Sequence, residues 1–139
     1  GFDAQNRLDL SFCLSDPVIL NRIVQRIGDV IASVNYDYII ASNNGVVPIA
    51  SLLSLLENKP WVLWNQRAVN DDRKSLILSL VCKRLCLQEI RIVRKIKDID
   101  SILCLVDTEG GGITLLENKY GVKVFKLTTL KSVMSLIKS

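Results

Sequence analysis

The sequence predicts an α/β fold, a parallel sheet flanked by helices. Strand-like segments rich in β-branched and aromatic residues, Tyr36–Ala41, Trp61–Trp64 and Val122–Leu127, alternate with stretches of helical spacing. Strands separated by helices call for crossover connections and hence for parallel pairing. In addition, Ile102–Thr114 (ILCLVDTEGGGIT) runs from a continuous apolar segment into an acid, then into three consecutive glycines. That is the pattern of a buried central strand leaving the sheet for a loop and a helix start.

Each element follows from its residues. Leu8–Phe12 reads as a short extended segment. Ser15-Asp16-Pro17 is a helix start: a capping side chain, an acid in the first turn, and proline where its missing N–H does no harm. Val18, Ile19, Ile23, Ile27, Val30 and Ile31 then recur at helical spacing, predicting a helix to about Ser33. Tyr36–Ala41 opens into Ser42-Asn43-Asn44-Gly45, a turn that tolerates left-handed backbone. Val46–Leu56 is an apolar helix with Pro48 in its first turn, and Glu57-Asn58-Lys59-Pro60 closes it. Trp61–Trp64 is the next strand. Ser75–Leu87 reads either as a helix capped near Asp71 or Asp72 or as a hairpin strand. Glu89–Ile96 alternates and predicts a strand. Ile102–Val106 is the buried strand, and Leu115–Tyr120 a helix stopped by Gly121. Val122–Leu127 is a strand, and Thr129–Ile137 a terminal helix.

Composition narrows the class. The chain has 139 residues, 49% hydrophobic and 23% charged, which suits one globular domain spanning 1–139. No apolar run approaches the ~20 residues of a membrane span, and Gly1–Gln5 lacks the pattern of a signal peptide. The four cysteines show no CxxC spacing and there is no histidine, which argues against zinc sites and Cys–His or Ser–His catalysis. The cysteines read as buried reduced thiols of a cytoplasmic protein. The net charge of +4 is mild. Arg73, Lys74, Lys83, Arg84, Arg91, Arg94, Lys95 and Lys97 form a denser basic cluster, read as a solvated face. No helix-turn-helix or aromatic–basic interleaving supports a nucleic-acid partner.

In a parallel sheet, ligands sit outside the carboxyl ends of the strands, near a switch in strand order. Three loops leave predicted strands at that edge: Ser42–Gly45, Asn65–Arg67 and Asp107–Thr114. They offer hydroxyls, amides, loop N–H groups, one guanidinium and two acids. The glycines allow close backbone approach, and the helix start after Gly112 favours phosphate. Taken alone, the glycine stretch reads equally as a tight strand-to-helix turn that needs glycine for its shape; taken together, the three loops read as a cradle for a phosphorylated sugar.

These residues resemble the type I phosphoribosyltransferases, orotate phosphoribosyltransferase most closely, over most of the chain. Leu8–Val24 is similar to the family's leading strand and Ser-Asp-Pro helix. Asp37–Ala50 resembles its strand, pyrophosphate loop and helix, and Pro60–Arg67 its proline, short strand and Arg-Lys pair. Ile102–Thr114 lies where the family carries its signature for phosphoribosyl diphosphate (PRPP). The resemblance implies a phosphoribosyltransferase-like, Rossmann-like sheet. It implies that Asp107 holds the ribose hydroxyls, with Glu109 as the second candidate catalytic acid. Thr108, Gly110, Gly111, Gly112 and Thr114 would line the 5′-phosphate loop. Ser42, Asn43, Asn44 and Gly45 would face the pyrophosphate, and Arg67 would neutralise it. Mg²⁺ would enter only with PRPP, bridging its oxygens. The family commonly dimerises, and Trp61, Trp64 and Ser75–Leu87 offer apolar surface for a homodimer.

The sequence departs from the family at informative places. The paired acids are here Val106-Asp107, with Glu109 two positions later, and the threonine pair is missing. Ala68 replaces the lysine after Arg67. The family's mobile loop brings a lysine and a histidine, and this chain has no histidine. The expectation is an orotate phosphoribosyltransferase-like protein that binds a phosphoribosyl or nucleotide ligand with reduced or lost transferase activity. The alternatives are an active transferase acting on orotate or another base, and a nucleic-acid-binding regulator.

Overall fold

A computed structural model of the chain describes residues 15–65, 73–82, 87–96 and 98–129. Helix α1 (Pro17–Val30) starts on the expected proline, but its N-cap is Asp16 rather than Ser15. One Asp16 carboxylate oxygen accepts the backbone N–H of Val18 at 2.9 Å and of Ile19 at 3.3 Å. The acid expected inside the first turn thus stands at its head. There it satisfies two donors that the helix leaves unpaired and faces the positive end of the dipole.

Five strands form one parallel sheet among the described residues: β1 (Tyr38–Ala41), β2 (Trp61–Leu63), β3 (Ser75–Cys82), β4 (Ile99–Asp107) and β5 (Lys123–Thr129). Their spatial order is β2-β1-β3-β4-β5. Helix α2 (Val47–Glu57), preceded by a single 3-10 turn at Asn44–Val46, connects β1 to β2. Helix α3 (Leu87–Lys95) lies between β3 and β4 in sequence, and α4 (Gly112–Tyr120) between β4 and β5. From β1 the chain moves outward to β2, then returns past β1 to β3 and continues outward on the other side. The strand order therefore switches between β1 and β3.

Alternate residues of each strand feed two cores. Ile39, Ala41, Leu76, Leu78, Leu103 and Leu105 pack with Val24 and Ile27 of α1 and with Ile49, Ala50 and Leu53 of α2. Tyr38, Ile40, Ile77, Ile102 and Cys104 pack on the opposite face with Ile92 of α3, Ile96 and Leu116 of α4. Cys104 is a buried free thiol, as expected from the absence of CxxC spacing.

Four sequence expectations are corrected. Of the Ser75–Leu87 segment, Ser75–Cys82 is neither a helix nor a hairpin strand, and Leu87 opens α3. Ser75–Cys82 supplies β3, the middle of the sheet, parallel to β1 and β4. Glu89–Ile96 is not a strand: it lies in α3 and the residue that follows it. Glu89, Ile92 and Ile96 are the buried positions, at spacings of three and four, and the Ser79 hydroxyl donates to the Glu89 carboxylate inside the fold. The α4 helix begins at Gly112, three residues earlier than expected, and stops on Gly121 at φ +68° as expected. Thr129 ends β5 instead of opening a helix. The Leu8–Phe12 segment and the rest of the terminal helix lie outside the described residues.

Candidate functional site

The loop after β1 flanks the switch in strand order. The Ser42 amide donates to the Leu78 carbonyl at 3.0 Å, extending the pairing of β1 with β3 by one residue. The Ser42 carbonyl accepts the side-chain amide of Gln88 at 2.8 Å, which ties the loop to the first turn of α3. The Ser42 hydroxyl is buried, 1% of the residue being exposed, and has no hydrogen-bond partner among the described residues. A buried hydroxyl without a partner is costly, on the order of 1–3 kcal/mol. The other such hydroxyl, Ser101, sits toward the amino end of β4, away from this edge.

Asn43 and Asn44 are exposed. The Asn43 carboxamide accepts the Gly45 amide at 2.9 Å and caps the 3-10 turn. A Cβ on Gly45 would lie 3.2 Å from the Asn43 side-chain oxygen and 3.3 Å from a Leu80 methyl. Glycine therefore lets the turn lie close against β3.

The second loop leaves β4 at Asp107, which is 7% exposed. One Asp107 oxygen accepts the backbone N–H of Glu109 at 2.9 Å, and the other lies 3.7 Å from the Lys126 ammonium. The acid thus closes its own loop and pairs with a neighbouring strand. Glu109 is exposed and adopts φ +62°, a left-handed conformation that costs a side-chain-bearing residue roughly 1–2 kcal/mol. Gly110 is exposed and Gly112 buried. Gly111, at φ +91°, is the N-cap of α4 and supplies no side-chain hydrogen bond. Thr114 is exposed in the first turn. The start of α4 therefore retains amide donors that no capping side chain satisfies.

The two loops are not side by side. Ala41 pairs with Leu78, whereas Cys82 pairs with Asp107, four residues further along β3. At about 3.3 Å per residue that is a step of roughly 13 Å, and β3 separates the two strands by a further ~10 Å laterally. Ser42–Gly45 stands at the switch, and Asp107–Thr114 stands one strand beyond it. Arg67 and the residues that follow β3, 83–86, lie outside the described residues. Gln88 and Lys126 touch the two loops and were not singled out in the sequence, where a glutamine before Glu89 and a lysine within a strand carry no local signal.

No group of three or more Cys, Asp or Glu side chains among the described residues could hold a metal ion. No helix among them is long and apolar enough to cross a membrane.

No family model matches the sequence, and the search of curated proteins likewise finds no match. Solved structures do match. The chain is similar to the UMP synthase of Leishmania donovani, with a TM-score of 0.76 and 20% identity over 93% of this chain and 31% of that one. It is similar to the orotate phosphoribosyltransferase of Aeropyrum pernix, with a TM-score of 0.72 and 20% identity over 91% and 80% of the two chains. The adenine phosphoribosyltransferase of Thermoanaerobacter pseudethanolicus superposes with a TM-score of 0.69 at 14% identity, over 84% and 83%. The chain spans about a third of the UMP synthase and most of the two phosphoribosyltransferases. The parallel sheet, its flanking helices and these superpositions give the chain the fold of the type I phosphoribosyltransferases.

Proposed function

We propose that this protein binds a phosphoribosyl or nucleotide ligand at the carboxyl edge of its sheet, with reduced or lost transferase activity. The observation that carries the reading is the buried, unpartnered Ser42 hydroxyl on the loop at the strand switch. A polar atom kept dry without a partner suits a ligand oxygen, and the switch is where ligands enter such sheets. The open N-terminus of α4 adds donors for a phosphate. Ser42, Asn43, Asn44 and Gly45 would meet the pyrophosphate of PRPP, with Arg67. Asp107, Thr108, Gly110, Gly111, Gly112 and Thr114 would meet the ribose phosphate. Mg²⁺, when bound, would offset the charge of the pyrophosphate. With few protein carboxylates at hand, it would arrive on the ligand's own oxygens.

Weak catalysis follows from the same residues. Asp107 and Glu109 are the candidate catalytic acids, yet Asp107 already serves Glu109 and Lys126. Glu109 brings negative charge to a loop that would hold an anion. A pyrimidine-related ligand, a cytoplasmic setting and a homodimer are further parts of this reading, carried over from the sequence resemblance alone.

Isothermal titration with PRPP and Mg²⁺ tests it. Saturable heat with little turnover in a spectrophotometric orotate assay is the expected result. Rapid orotate consumption would replace the reading with that of an active transferase, and absence of heat at millimolar ligand would reject both.

A further inference from the structure

We infer that Glu89 is a buried charge that holds down the affinity of the Ser42 loop for anions; this rests on the ligand reading above and names the group that regulates it. Glu89 is 5% exposed in the first turn of α3, and its carboxylate accepts the Ser79 hydroxyl inside the fold.

The register of the sheet puts that carboxylate beside the loop. Ala41 pairs with Leu78, and the Ser42 amide donates to the Leu78 carbonyl, so Ser42 and Ser79 are neighbours on adjacent strands. Side chains alternate along a strand. Ala41 and Leu78 enter the core under α1 and α2, whereas Ile40 and Ile77 enter the core under α3. Ser42 and Ser79 are next in each strand and therefore turn toward α3. Adjacent strands lie ~4.8 Å apart and a hydrogen bond spans ~2.7 Å, which brings the Glu89 carboxylate within about 8 Å of the Ser42 hydroxyl.

The surroundings leave the charge standing. Cys104 pairs with Ser79 from β4, and Ile92 and Leu116 belong to the same apolar core. The loop after β1 adds Asn43 and Asn44, which carry no charge. Lys126 is level with Cys104 on β5 and lies near Asp107 instead. Arg91, Arg94 and Lys95 of α3 are exposed, where water and salt screen them. Among the described residues no cation pairs with Glu89. The positive end of the α3 dipole gives an acid an ordinary reason to stand in the first turn, but none to be buried there. One neutral hydroxyl is a small return for burying a carboxylate. By occupying that end of the helix the acid also withdraws it from a ligand. An anion reaching the Ser42 hydroxyl meets Glu89 at short range in a largely buried setting, where repulsion is weakly screened.

The test is calorimetric titration of the full chain, Glu89→Gln and Glu89→Asp with PRPP and Mg²⁺ and with inorganic pyrophosphate. Glutamine keeps an acceptor for the Ser79 hydroxyl and removes the charge; aspartate keeps the charge. Affinity for both ligands should rise by at least about tenfold in Glu89→Gln and stay within about twofold of native in Glu89→Asp. The Ser79→Ala/Glu89→Met double variant replaces both partners by apolar groups and should show the same gain, which keeps the test open if glutamine disturbs the fold. Equal or weaker binding by both neutral variants would overturn the inference, and so would an equal gain in Glu89→Asp, which would assign the effect to packing. Saturable heat from the native chain without a gain in either neutral variant removes Glu89 and keeps the ligand reading. No heat from any of the four chains removes both.

Discussion

The side-chain amide of Gln88 donates to the backbone carbonyl of Ser42 at 2.8 Å, across 46 residues of sequence. This contact joins the start of α3 to the loop at the strand switch, so that loop and helix hold one position relative to each other. Gln88→Ala should lower stability by about 1 kcal/mol, the usual worth of one hydrogen bond, read as a lower urea midpoint at unchanged slope. It should also weaken PRPP binding, because the loop loses its tether. An unchanged PRPP affinity would detach α3 from the site.

Ser42 gives a prediction in two opposed parts. Its hydroxyl is buried without a partner among the described residues, so Ser42→Ala removes a desolvated group and should leave stability unchanged or raise it by up to about 1 kcal/mol. Ligand affinity should fall in the same variant. A stability loss with unaltered binding would mean that the hydroxyl serves packing alone.

Glu109 holds φ +62° in the loop after β4. Glu109→Gly should raise stability by roughly 0.5–1 kcal/mol, the relief of left-handed strain less the added freedom of glycine in the unfolded chain. It also removes a negative charge, so phosphate or PRPP affinity should rise. A lower melting temperature in this variant would show that the exposed glutamate makes a stabilising contact.

Asp107→Asn separates two roles. If the carboxylate holds ribose, PRPP affinity falls. If it only closes its own loop, asparagine still accepts the Glu109 amide and affinity is unchanged, which would remove Asp107 from the site.

Tyr36 supplies a pH dependence. Its phenol is raised well above the ordinary value, first by burial and then by Glu57 beside it, to which it donates at 3.4 Å. The folded state thus prefers the neutral phenol more than the unfolded chain does. That contribution is fully present below the unfolded pKa of about 10 and is lost as pH rises from there toward the folded value. Thermal melts above pH 10 should fall more steeply for the native chain than for Tyr36→Phe. Parallel curves would contradict the assignment.

The fold was legible where local pattern and tertiary role agree. Asp16-Pro17, Gly121 and the apolar strands declare themselves, because caps, turns and burial act on neighbouring residues. Two segments misled for physical reasons. In Ser75–Cys82, Leu76, Ile77 and Leu78 are all fully buried, and a strand covered on both faces loses the alternation that marks strands. In α3 one buried position is the acid Glu89, so counting apolar residues alone leaves Ile90, Ile92 and Val93 without a clear helical face. The loops at the carboxyl edge were visible as residue types. Their offset was not, since the place of β3 between β1 and β4 is a property of strand order and no short stretch encodes it.

The central claim is a PRPP-binding site that contains the loop at Ser42. Calorimetric titration of the native chain and of Ser42→Ala with PRPP and Mg²⁺ tests it most directly. The account predicts saturable heat for the native chain and affinity reduced by about tenfold, near 1.4 kcal/mol, for a variant of undiminished stability. Equal affinities for the two proteins, or no heat from the native chain at millimolar PRPP, would contradict it.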